Sequence, residues 1–455
     1  MSDSHPPSDD AAAARREIVR LAWPIVLANS AVPLLGIVDT AVIGNLGSVE
    51  GLGAIALGAL VFNFVYWSFG FLRMGTTGFT AQASGAGDEP EVRATLGRAL
   101  LLAGGIGTTL VLFQAPIAWV ALRLLGATEA VESLTRAYFE VRIWGAPGAL
   151  GTFAVLGSLV GLGRTGDVLR TQIVLNGLNI LLDVAFAGVL GMGVRGIALG
   201  TAIAEWVTLA YGLVLIRSIL RSRHDDAEAF WPRDRILDRA RALKTLGANA
   251  DIMIRTLFLL TGFAWFTNQG ARFGNEILAA NHVLLQLVSM SAYLLDGFAH
   301  ATEILVGRAV GAARRAAFDR AVRAASTLAA WTALALAALV LVGGAPAARL
   351  LTDLEPVRAV AVSYLPLTAL YVALSFAAFQ LDGIFIGATA TRDMRNASVL
   401  SCLAFIGVSL LLVPRWGNLG LWMAFCFYVT ARAVALGARY RALRASIPEG
   451  APEGP

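Results

Sequence analysis

Long apolar segments alternate with short polar turns along nearly the whole chain. A run of about 20 apolar residues is long enough to cross a bilayer as a helix, so the pattern predicts twelve membrane spans. The predicted bounds are 17–44, 50–76, 94–120, 133–160, 168–190, 195–219, 246–270, 278–306, 317–343, 357–387, 396–414 and 418–440. A longer polar segment, 220–245, separates the first six spans from the last six.

The polar segments complete the predicted domain organisation. Five parts follow one another: a disordered N-terminus at 1–16, an N-terminal lobe at 17–219, a linker at 220–245, a C-terminal lobe at 246–440 and a tail at 441–455. Arginines concentrate before the first span, in the linker, after the last span and in alternate loops between. Because basic loops stay on the cytoplasmic side, both termini and the linker are predicted to be cytoplasmic.

An internal repeat supports two related lobes. AQASGAGD at 81–88 resembles GRAVGAAR at 307–314, and GRTGDVLR at 163–170 resembles TATRDMRN at 389–396. Both pairs are separated by 226 positions (85 to 311, 167 to 393). A constant offset over this distance indicates parallel repeats related by an axis along the membrane normal. The predicted fold class is therefore an all-α polytopic membrane protein with two pseudo-symmetric six-helix lobes.

Composition supports the membrane interpretation. Hydrophobic residues make up 57% of the chain and charged residues only 15%, whereas soluble domains carry about 25% charged residues. The net charge of +5 comes from arginines between spans, so membrane orientation explains it better than nucleic-acid binding. The two cysteines lie in apolar runs and offer neither a disulfide framework nor metal spacing.

Several polar residues lie inside the N-terminal spans, where an ionisable group is costly and is a functional hypothesis by default. They are Asp39 in span 1, Asn176, Asn179 and Asp183 in span 5, and Thr201 and Glu205 in span 6. Residues three or four apart share one helix face. Asp39 lies ~9 Å, and Asp183 and Thr201 ~13 Å, along their helices from the predicted outer ends of those spans. We therefore expect one pocket in the outer half of the membrane.

The repeat provides an internal control for this pocket. The positions 226 after Asp39, Asn179, Asp183 and Thr201 are occupied by Trp265, Phe405, Ser409 and Phe427. A requirement of the fold should appear in both lobes, and this cluster appears in one, which favours a function. The alternative is that Asn179 and Asp183 are hydrogen-bonding contacts between helices. Two carboxylates in a low-dielectric pocket favour proton binding, and oxygen ligands also suit Na⁺, so both ions stay open.

The C-terminal lobe has polar residues of its own. Asp296, His300 and Glu303 in span 8 follow the spacing of one helix face, and Asp382 lies near the cytoplasmic end of span 10. These four residues are predicted to line a polar cleft. The alternatives are that His300 is a packing residue, and that Asp296 and Glu303 line a water-filled cleft or pair with Arg255 of span 7.

Two prolines, Pro24 and Pro33, lie in span 1. An interior proline removes a backbone hydrogen bond and kinks a helix. A kinked helix that carries Asp39 is expected to bend differently in each protonation state.

Five segments resemble the DinF-type branch of the MATE (multidrug and toxic compound extrusion) transporters. They are WPIVLANSAVPLLGIVDTAVIGNLG (23–47), NILLD (179–183), GIALGTAIAEW (196–206), LLDGFAHATEILVGRAVGA (294–312) and QLDGIFIGATATRDMRNA (380–397). The resemblance extends from about residue 17 to 440. It implies twelve helices in two lobes around a central cleft, and cation-coupled efflux of amphipathic, often cationic compounds from the bacterial cytoplasmic (inner) membrane.

The resemblance also implies site residues. The ion site of related transporters falls on Asp39, Asn179, Asp183 and Thr201; a tyrosine of span 4 falls on Tyr138, and the bending proline on Pro24. Relatives carry asparagines in span 4 beside this pocket, whereas residues 151–160 read GTFAVLGSLV. This departure favours a proton over a fully coordinated Na⁺. The C-terminal acidic residues of another MATE branch are not matched in span 7.

The sequence therefore predicts an antiporter that exports drugs or toxic compounds in exchange for H⁺ (or Na⁺). Asn176 and Glu205 are further candidates for its cation or substrate site. We expect small-molecule substrates and membrane lipid as partners, no nucleic acid, no cofactor and a monomer. A flippase for lipid-linked precursors is the alternative within the superfamily, but it calls for a basic cleft. No HExxH, GxSxG or CxxC motif supports an enzyme, and no extramembrane domain supports a receptor.

Overall fold

The computed structural model describes residues 7–30, 49–126, 128–223 and 229–449. Within these ranges every element is helical and no strand occurs, which confirms the all-α fold class. Asp39 and Pro33 lie outside the described residues. Contacts divide the chain into two compact units: Leu27–Leu246, here called the N-terminal unit, and Met1–Val26 with Gly247–Pro455, here called the C-terminal unit. The beginning of the first helix therefore groups with the second half of the chain.

Most helices up to the linker are shorter than the predicted spans, and several of those spans are interrupted. They are α1 (Pro7–Ser30), α2 (Val49–Ser68), α3 (Phe71–Gly85), α4 (Glu89–Leu112), α5 (Gln114–Leu125), α6 (Glu129–Arg142), α7 (Ala146–Gly161), α8 (Thr165–Asp183) and α9 (Gly193–Arg221). A single 3₁₀ turn, Ile143–Gly145, separates α6 from α7. Pro147 is placed in the first turn of α7, where its missing N–H is tolerated.

The second half of the chain forms long helices. They are the short linker helix α10 (Arg233–Ile236), then α11 (Arg239–Ala271), α12 (Asn275–Gly311), α13 (Arg315–Leu351), α14 (Glu355–Gly387) and α15 (Thr391–Ala445). The last of these covers two predicted spans, 396–414 and 418–440. It is kinked at Gly417, whose φ of 54° and ψ of −132° are not helical and suit a residue without a side chain.

Within the described ranges, ten helical segments are long and apolar enough to cross a membrane. That number treats α2–α3 and α6–α7 as single segments and α15 as one. The predicted twelve spans are not reproduced one by one, because span 17–44 is only partly described and α15 joins two spans.

Paired glycines bring helices of the N-terminal unit into close contact. An ideal Cβ on Gly157 would lie 2.5 Å from the Arg73 carbonyl oxygen, and one on Gly161 would lie 2.7 Å from that of Thr77. Two glycines four residues apart thus let α7 approach the backbone of α3, as small residues do in other membrane bundles.

The C-terminal unit repeats the same contact. An ideal Cβ on Gly383 would lie 2.5 Å from the Ala299 carbonyl oxygen, and one on Gly387 would lie 2.6 Å from that of Glu303. Each of these four residues lies 226 positions after its counterpart (157 to 383, 161 to 387, 73 to 299, 77 to 303). The offset read from the sequence therefore aligns equivalent backbone contacts in the two units.

Each unit has its own aromatic core. In the N-terminal unit, Phe62 packs against Tyr138 and Phe139 with ring centroids 6.1 and 5.2 Å away. In the C-terminal unit, Phe425 stacks on Tyr371 at 4.4 Å, and the fully buried Phe405 joins the same cluster.

Candidate functional site

The structure brings together three of the predicted pocket residues, Asn179, Asp183 and Thr201. Asn179 and Asp183 lie one turn apart on α8, and neither side chain has exposed surface. The Asn179 amide Nδ2 donates to Thr201 Oγ1 on α9 over 2.9 Å, and Thr201 Oγ1 donates to the Ile197 carbonyl over 2.9 Å. This arrangement leaves Asn179 Oδ1 as a buried acceptor with no hydrogen-bond partner among the described residues.

Glycines of α9 allow the close approach of this helix to Asp183. An ideal Cβ on Gly200 would lie 2.5 Å from Asp183 Oδ1, and one on Gly196 would lie 2.8 Å from the Ala187 backbone nitrogen. The two glycines are four residues apart in GIALG, the spacing that permits close helix packing in membranes. Any larger residue at position 200 would compete with the carboxylate for the same space.

A π-helical turn, Val184–Val189, begins directly after Asp183. Its wider ring is closed by the Leu190 N–H, which donates to the Ala185 carbonyl over 2.9 Å. Such turns are rare, and they concentrate at functional sites because one inserted residue turns the following side chains to a new direction. Hydropathy predicted one continuous span from 168 to 190 and missed this turn, since a π turn leaves no signal in the apolar pattern.

The equivalent positions of the C-terminal unit are occupied by other residues, which form a different set of contacts. Trp265 and Ser409, which stand 226 positions after Asp39 and Asp183, are joined by a 2.7 Å hydrogen bond from the indole Nε1 to the hydroxyl. Phe405, the counterpart of Asn179, is fully buried in the aromatic core. The polar cluster is therefore specific to the N-terminal unit, and the same positions of the repeat serve packing in the other.

Glu205 takes part in a different arrangement, a buried ion pair with Arg142. The two guanidinium nitrogens of Arg142 donate to the two carboxylate oxygens at 2.7 Å each. The same guanidinium donates to the Tyr66 hydroxyl over 3.2 Å and lies 5.0 Å from the centroid of the Phe62 ring. The sequence analysis singled out Glu205 but assigned it no basic partner. The usable signal was that an acid and a base inside neighbouring spans are expected to meet.

Three further predicted residues lie on α6, α8 and α1. Tyr138 is buried on α6, and its ring fills the space left open by Gly58. Asn176 is half-buried on α8, one turn before Asn179. Pro24 lies inside α1, which continues as a helix to Ser30.

The C-terminal residues Asp296, His300 and Glu303 also come together on α12. His300 Nε2 lies 3.2 Å from Asp296 Oδ2, and His300 Nδ1 lies 3.1 Å from Glu303 Oε2. The shared helix face predicted from their spacing is thus confirmed. Within the described ranges, no group of three or more His, Cys, Asp or Glu side chains is placed to hold a metal ion.

The fourth C-terminal candidate, Asp382, lies in a separate ion-pair group. Its carboxylate accepts a hydrogen bond from Arg255 of α11 and lies 3.7 Å from a guanidinium nitrogen of Arg432 of α15. All three side chains are buried. Arg255, considered above as a partner of Asp296 or Glu303, thus forms its buried ion pair with Asp382.

Comparison with known sequences identifies the chain's relatives. The family model MatE matches residues 24–185 and 252–411. The chain is 39% identical over 421 residues to the DNA damage-inducible protein F of Escherichia coli, covering 92% of this chain and 91% of that protein. It is 28% identical over 467 residues to the "Probable multidrug resistance protein NorM" of Deinococcus radiodurans, covering 95% and 96% of the two chains.

Solved structures share the fold. A transporter of the MOP superfamily from Pyrococcus furiosus superposes with a TM-score of 0.85 at 21% identity, covering 95% of this chain and 96% of that one. The Vibrio cholerae MATE transporter VcmN in its bent form also gives a TM-score of 0.85, at 20% identity, covering 96% and 98% of the two chains. At these identities the likeness shows the fold.

Proposed function

Because the chain belongs to the MATE family of multidrug efflux transporters, we propose that it is a secondary active antiporter. It exports amphipathic, often cationic compounds in exchange for a cation that binds in the N-terminal unit. Its place is the bacterial cytoplasmic membrane, with both termini on the cytoplasmic side.

The observation that carries the proposal is the buried group formed by Asn179, Asp183 and Thr201. A carboxylate without exposed surface is costly to keep ionised, so the occupancy of the Asp183 site by a cation strongly affects the energy of the packed helices. Asn179 Oδ1, a buried acceptor without a partner in the described part of the chain, costs about 1–3 kcal/mol until something donates to it or binds it. A protonated carboxyl or a bound cation supplies that partner.

The repeat supports including Asp39 in this site. Its counterpart Trp265 and the counterpart of Asp183, Ser409, are hydrogen-bonded over 2.7 Å. If the repeats pair the same positions, the carboxylates of Asp39 and Asp183 belong to one pocket. Two carboxylates in one low-dielectric pocket share a proton more readily than either holds one alone.

Coupling to export follows from helix packing around Asp183. The tight fit of Gly200 against its carboxylate, and the π turn that starts at the next residue, mean that a change at Asp183 is passed directly to α9 and to the end of α8. A cation shifts the equilibrium between two transporter states only by its difference in affinity for them. The state that binds the cation is the one from which the exported compound leaves. Bending of the first span at Pro24 and Pro33 is part of this proposed change.

We favour H⁺ as the coupling ion. Na⁺ needs several oxygen ligands, and the described pocket offers Asp183, Asn179 Oδ1 and a Thr201 hydroxyl that already accepts the Asn179 amide hydrogen. Residues 151–160 add no asparagine. A proton needs a single acceptor.

The test is export of a fluorescent cationic dye by everted membrane vesicles, with ΔpH and ΔNa⁺ collapsed separately. We expect collapse of ΔpH, and not of ΔNa⁺, to stop transport. Asp39→Asn and Asp183→Asn should each abolish it. Asp234→Asn, which removes an exposed carboxylate on the linker helix, is the matched control and should transport normally. Full transport by Asp183→Asn would refute the proposed mechanism.

A lipid-linked precursor flippase is the second candidate. One observation favours it: Asp382 lies between Arg255 and Arg432, so this buried group carries one positive charge in excess, as a phosphate-binding site would. Arg142, a buried arginine of the N-terminal unit, is by contrast matched one to one by Glu205. Transfer of a fluorescent polyprenyl-phosphate across proteoliposomes, without dye transport, would favour the flippase.

A further inference from the structure

His300 is a buried imidazole with a carboxylate at each ring nitrogen. Its side chain is 3% exposed, as is that of Glu303, whereas Asp296 is 34% exposed. The contacts of 3.2 Å to Asp296 and 3.1 Å to Glu303 form a continuous series. It leads from a partly exposed carboxylate, through the ring, to a carboxylate in the interior.

We propose that Asp296, His300 and Glu303 form a proton-binding site in the C-terminal unit, in which His300 carries a proton between the exposed and the buried carboxylate. This site is additional to the cation pocket around Asp183. It goes beyond the proposed function, because it does not depend on which compound the protein exports.

The geometry suits a proton rather than a metal ion. The two carboxylates contact opposite nitrogens of one planar ring, so their oxygens do not converge on a common point. In the transfer, a carboxyl proton of Asp296 moves to Nε2, and the imidazolium releases its Nδ1 proton to Glu303 Oε2. One O–H and one N–H bond break, one N–H and one O–H bond form, and the ring ends neutral in its other tautomer. The transfer is reversible.

The burial of the Glu303 carboxylate favours proton binding at this site. An ionised carboxylate at 3% exposure is costly unless a positive charge lies beside it. Its Oε2 makes no aligned hydrogen bond within the described ranges, although His300 Nδ1 is only 3.1 Å away. A small rotation of either side chain therefore completes the contact when the imidazole is protonated.

Comparison with the other repeat shows whether the fold itself requires Asp296, His300 and Glu303. The positions 226 before Asp296, His300 and Glu303 are occupied by Gly70, Met74 and Thr77. Thr77 and Glu303 are structurally equivalent, because Gly161 lies against the Thr77 carbonyl as Gly387 lies against that of Glu303. The same helix packing thus forms in the N-terminal unit without histidine or carboxylates, so the packing does not explain their presence.

The neighbouring helix α14 positions the site and brings one charged group near it. Gly383 and Gly387 press α14 against the backbone of Ala299 and Glu303, and Thr302 donates to Gln380 Oε1 over 2.8 Å. These contacts hold α12 at a fixed rotation. The charged residue of α14 in this region is Asp382, whose carboxylate is already paired with guanidinium groups from two other helices.

Two further elements pack against α12, namely α13 and the beginning of α1. Between positions 324 and 348, α13 has no charged residue or histidine. Val26 of α1 contacts Gly297, one turn from His300. On α13, the charged residues closest in sequence to this uncharged stretch are the exposed Arg320 and Arg323. On α1, those closest to Val26 are the half-buried Glu17 and the exposed Arg20. Glu17→Gln is therefore included as a variant that tests for an outside influence on the site.

The experiment observes His300 directly. The chain has four histidines, His5, His224, His282 and His300, so replacing the first three with glutamine leaves His300 as the single histidine. The ¹⁵N-histidine-labelled protein in detergent is titrated between about pH 5 and 9, the range around the ordinary histidine value. We expect the imidazole to change from neutral to protonated within this range. Glu303→Gln should weaken proton binding by His300 about tenfold, since it removes an adjacent negative charge.

A matched control uses the exposed His282 as the single histidine, next to Gln286 at 3.4 Å. Its titration should not respond to Glu303→Gln, and that of His300 should not respond to Glu17→Gln. A His300 that stays neutral throughout, or a midpoint unchanged by both Glu303→Gln and Asp296→Asn, would show a packing residue and overturn the proposal. Asp183→Asn should abolish export and leave the His300 titration unchanged, so failure of the proposed function is distinguishable from failure of this site.

Discussion

Replacing Gly200 with alanine is expected to displace the carboxylate of Asp183 while the protein still folds. The added Cβ would lie 2.5 Å from Asp183 Oδ1, whereas ordinary contact begins at 3.4 Å, so the oxygen has to move by about 0.9 Å. The next atoms, the Asp183 nitrogen and Leu182 Cβ, are 3.2 Å away and need a shift of only a few tenths of an ångström. Because the main obstacle is the end of a side chain, we expect a stability cost of about 1–3 kcal/mol.

The functional cost is expected to be larger than the structural one. A displacement of roughly 1 Å in a preorganised site can reduce a rate by on the order of 100-fold. Proton-coupled dye export by Gly200→Ala in everted vesicles should therefore fall at least about tenfold, while the detergent-purified protein keeps a cooperative thermal transition with a moderately lower Tm.

Two glycines provide matched comparisons. Gly177→Ala, on α8, has no atom within 4 Å of the new Cβ; it should transport normally and gain about 0.5–1 kcal/mol of helix stability. Gly196→Ala would place its Cβ 2.8 Å from backbone atoms of the π turn, and we expect it to lower Tm most strongly. Normal coupling in Gly200→Ala, or a loss of folding as severe as in Gly196→Ala, would refute the reasoning.

Three further predictions concern buried charges and one kink. Glu205→Gln should destabilise the protein by about 3–5 kcal/mol because it leaves Arg142 buried without its counter-charge; combining Glu205→Leu with Arg142→Met, which removes both charges, should recover most of the loss in a thermal-unfolding cycle. Asp382→Asn should lower Tm more than Arg432→Gln, since the carboxylate faces two guanidiniums and the Arg432 contact is the longer one at 3.7 Å; equal effects would contradict this geometry. Gly417→Ala should cost about 1–3 kcal/mol, because the combination of φ 54° and ψ −132° suits a residue without a side chain, and an unchanged Tm would show that the kink relaxes.

The sequence predicted which polar groups are buried inside the spans. It predicted only some of the hydrogen bonds and ion pairs that those groups form. Asn179 and Thr201 were expected to share a pocket and are hydrogen-bonded. Spacing within one helix also placed His300 between its two carboxylates, since residues four and three apart on a helix are neighbours by geometry. Glu205, by contrast, was grouped with the cation pocket, whereas its carboxylate binds the guanidinium of Arg142 on α6.

The interruptions of the helices were less predictable still. Hydropathy indicated one span over 133–160 and another over 168–190, while the structure has a 3₁₀ turn at Ile143–Gly145 and a π turn at Val184–Val189. Lipid exposure requires apolar side chains whether the backbone hydrogen bonds close over three, four or five residues. The apolar pattern therefore does not distinguish 3₁₀, α and π turns within a span.

The place of most spans, the 226-residue repeat and the buried position of Asp183, His300 and Asp382 could all be inferred from the sequence. These follow from local rules: a bilayer demands about 20 apolar residues per helix, and an ionisable residue within one stands out against them. The pairing of charges on different helices, such as Arg142 with Glu205 and Arg255 with Asp382, followed only from the tertiary structure. That pairing depends on the rotation of each helix about its axis and on its register against its neighbours. Both are set by contacts such as Gly200 on Asp183 and Gly387 on Glu303, which join residues far apart in the chain.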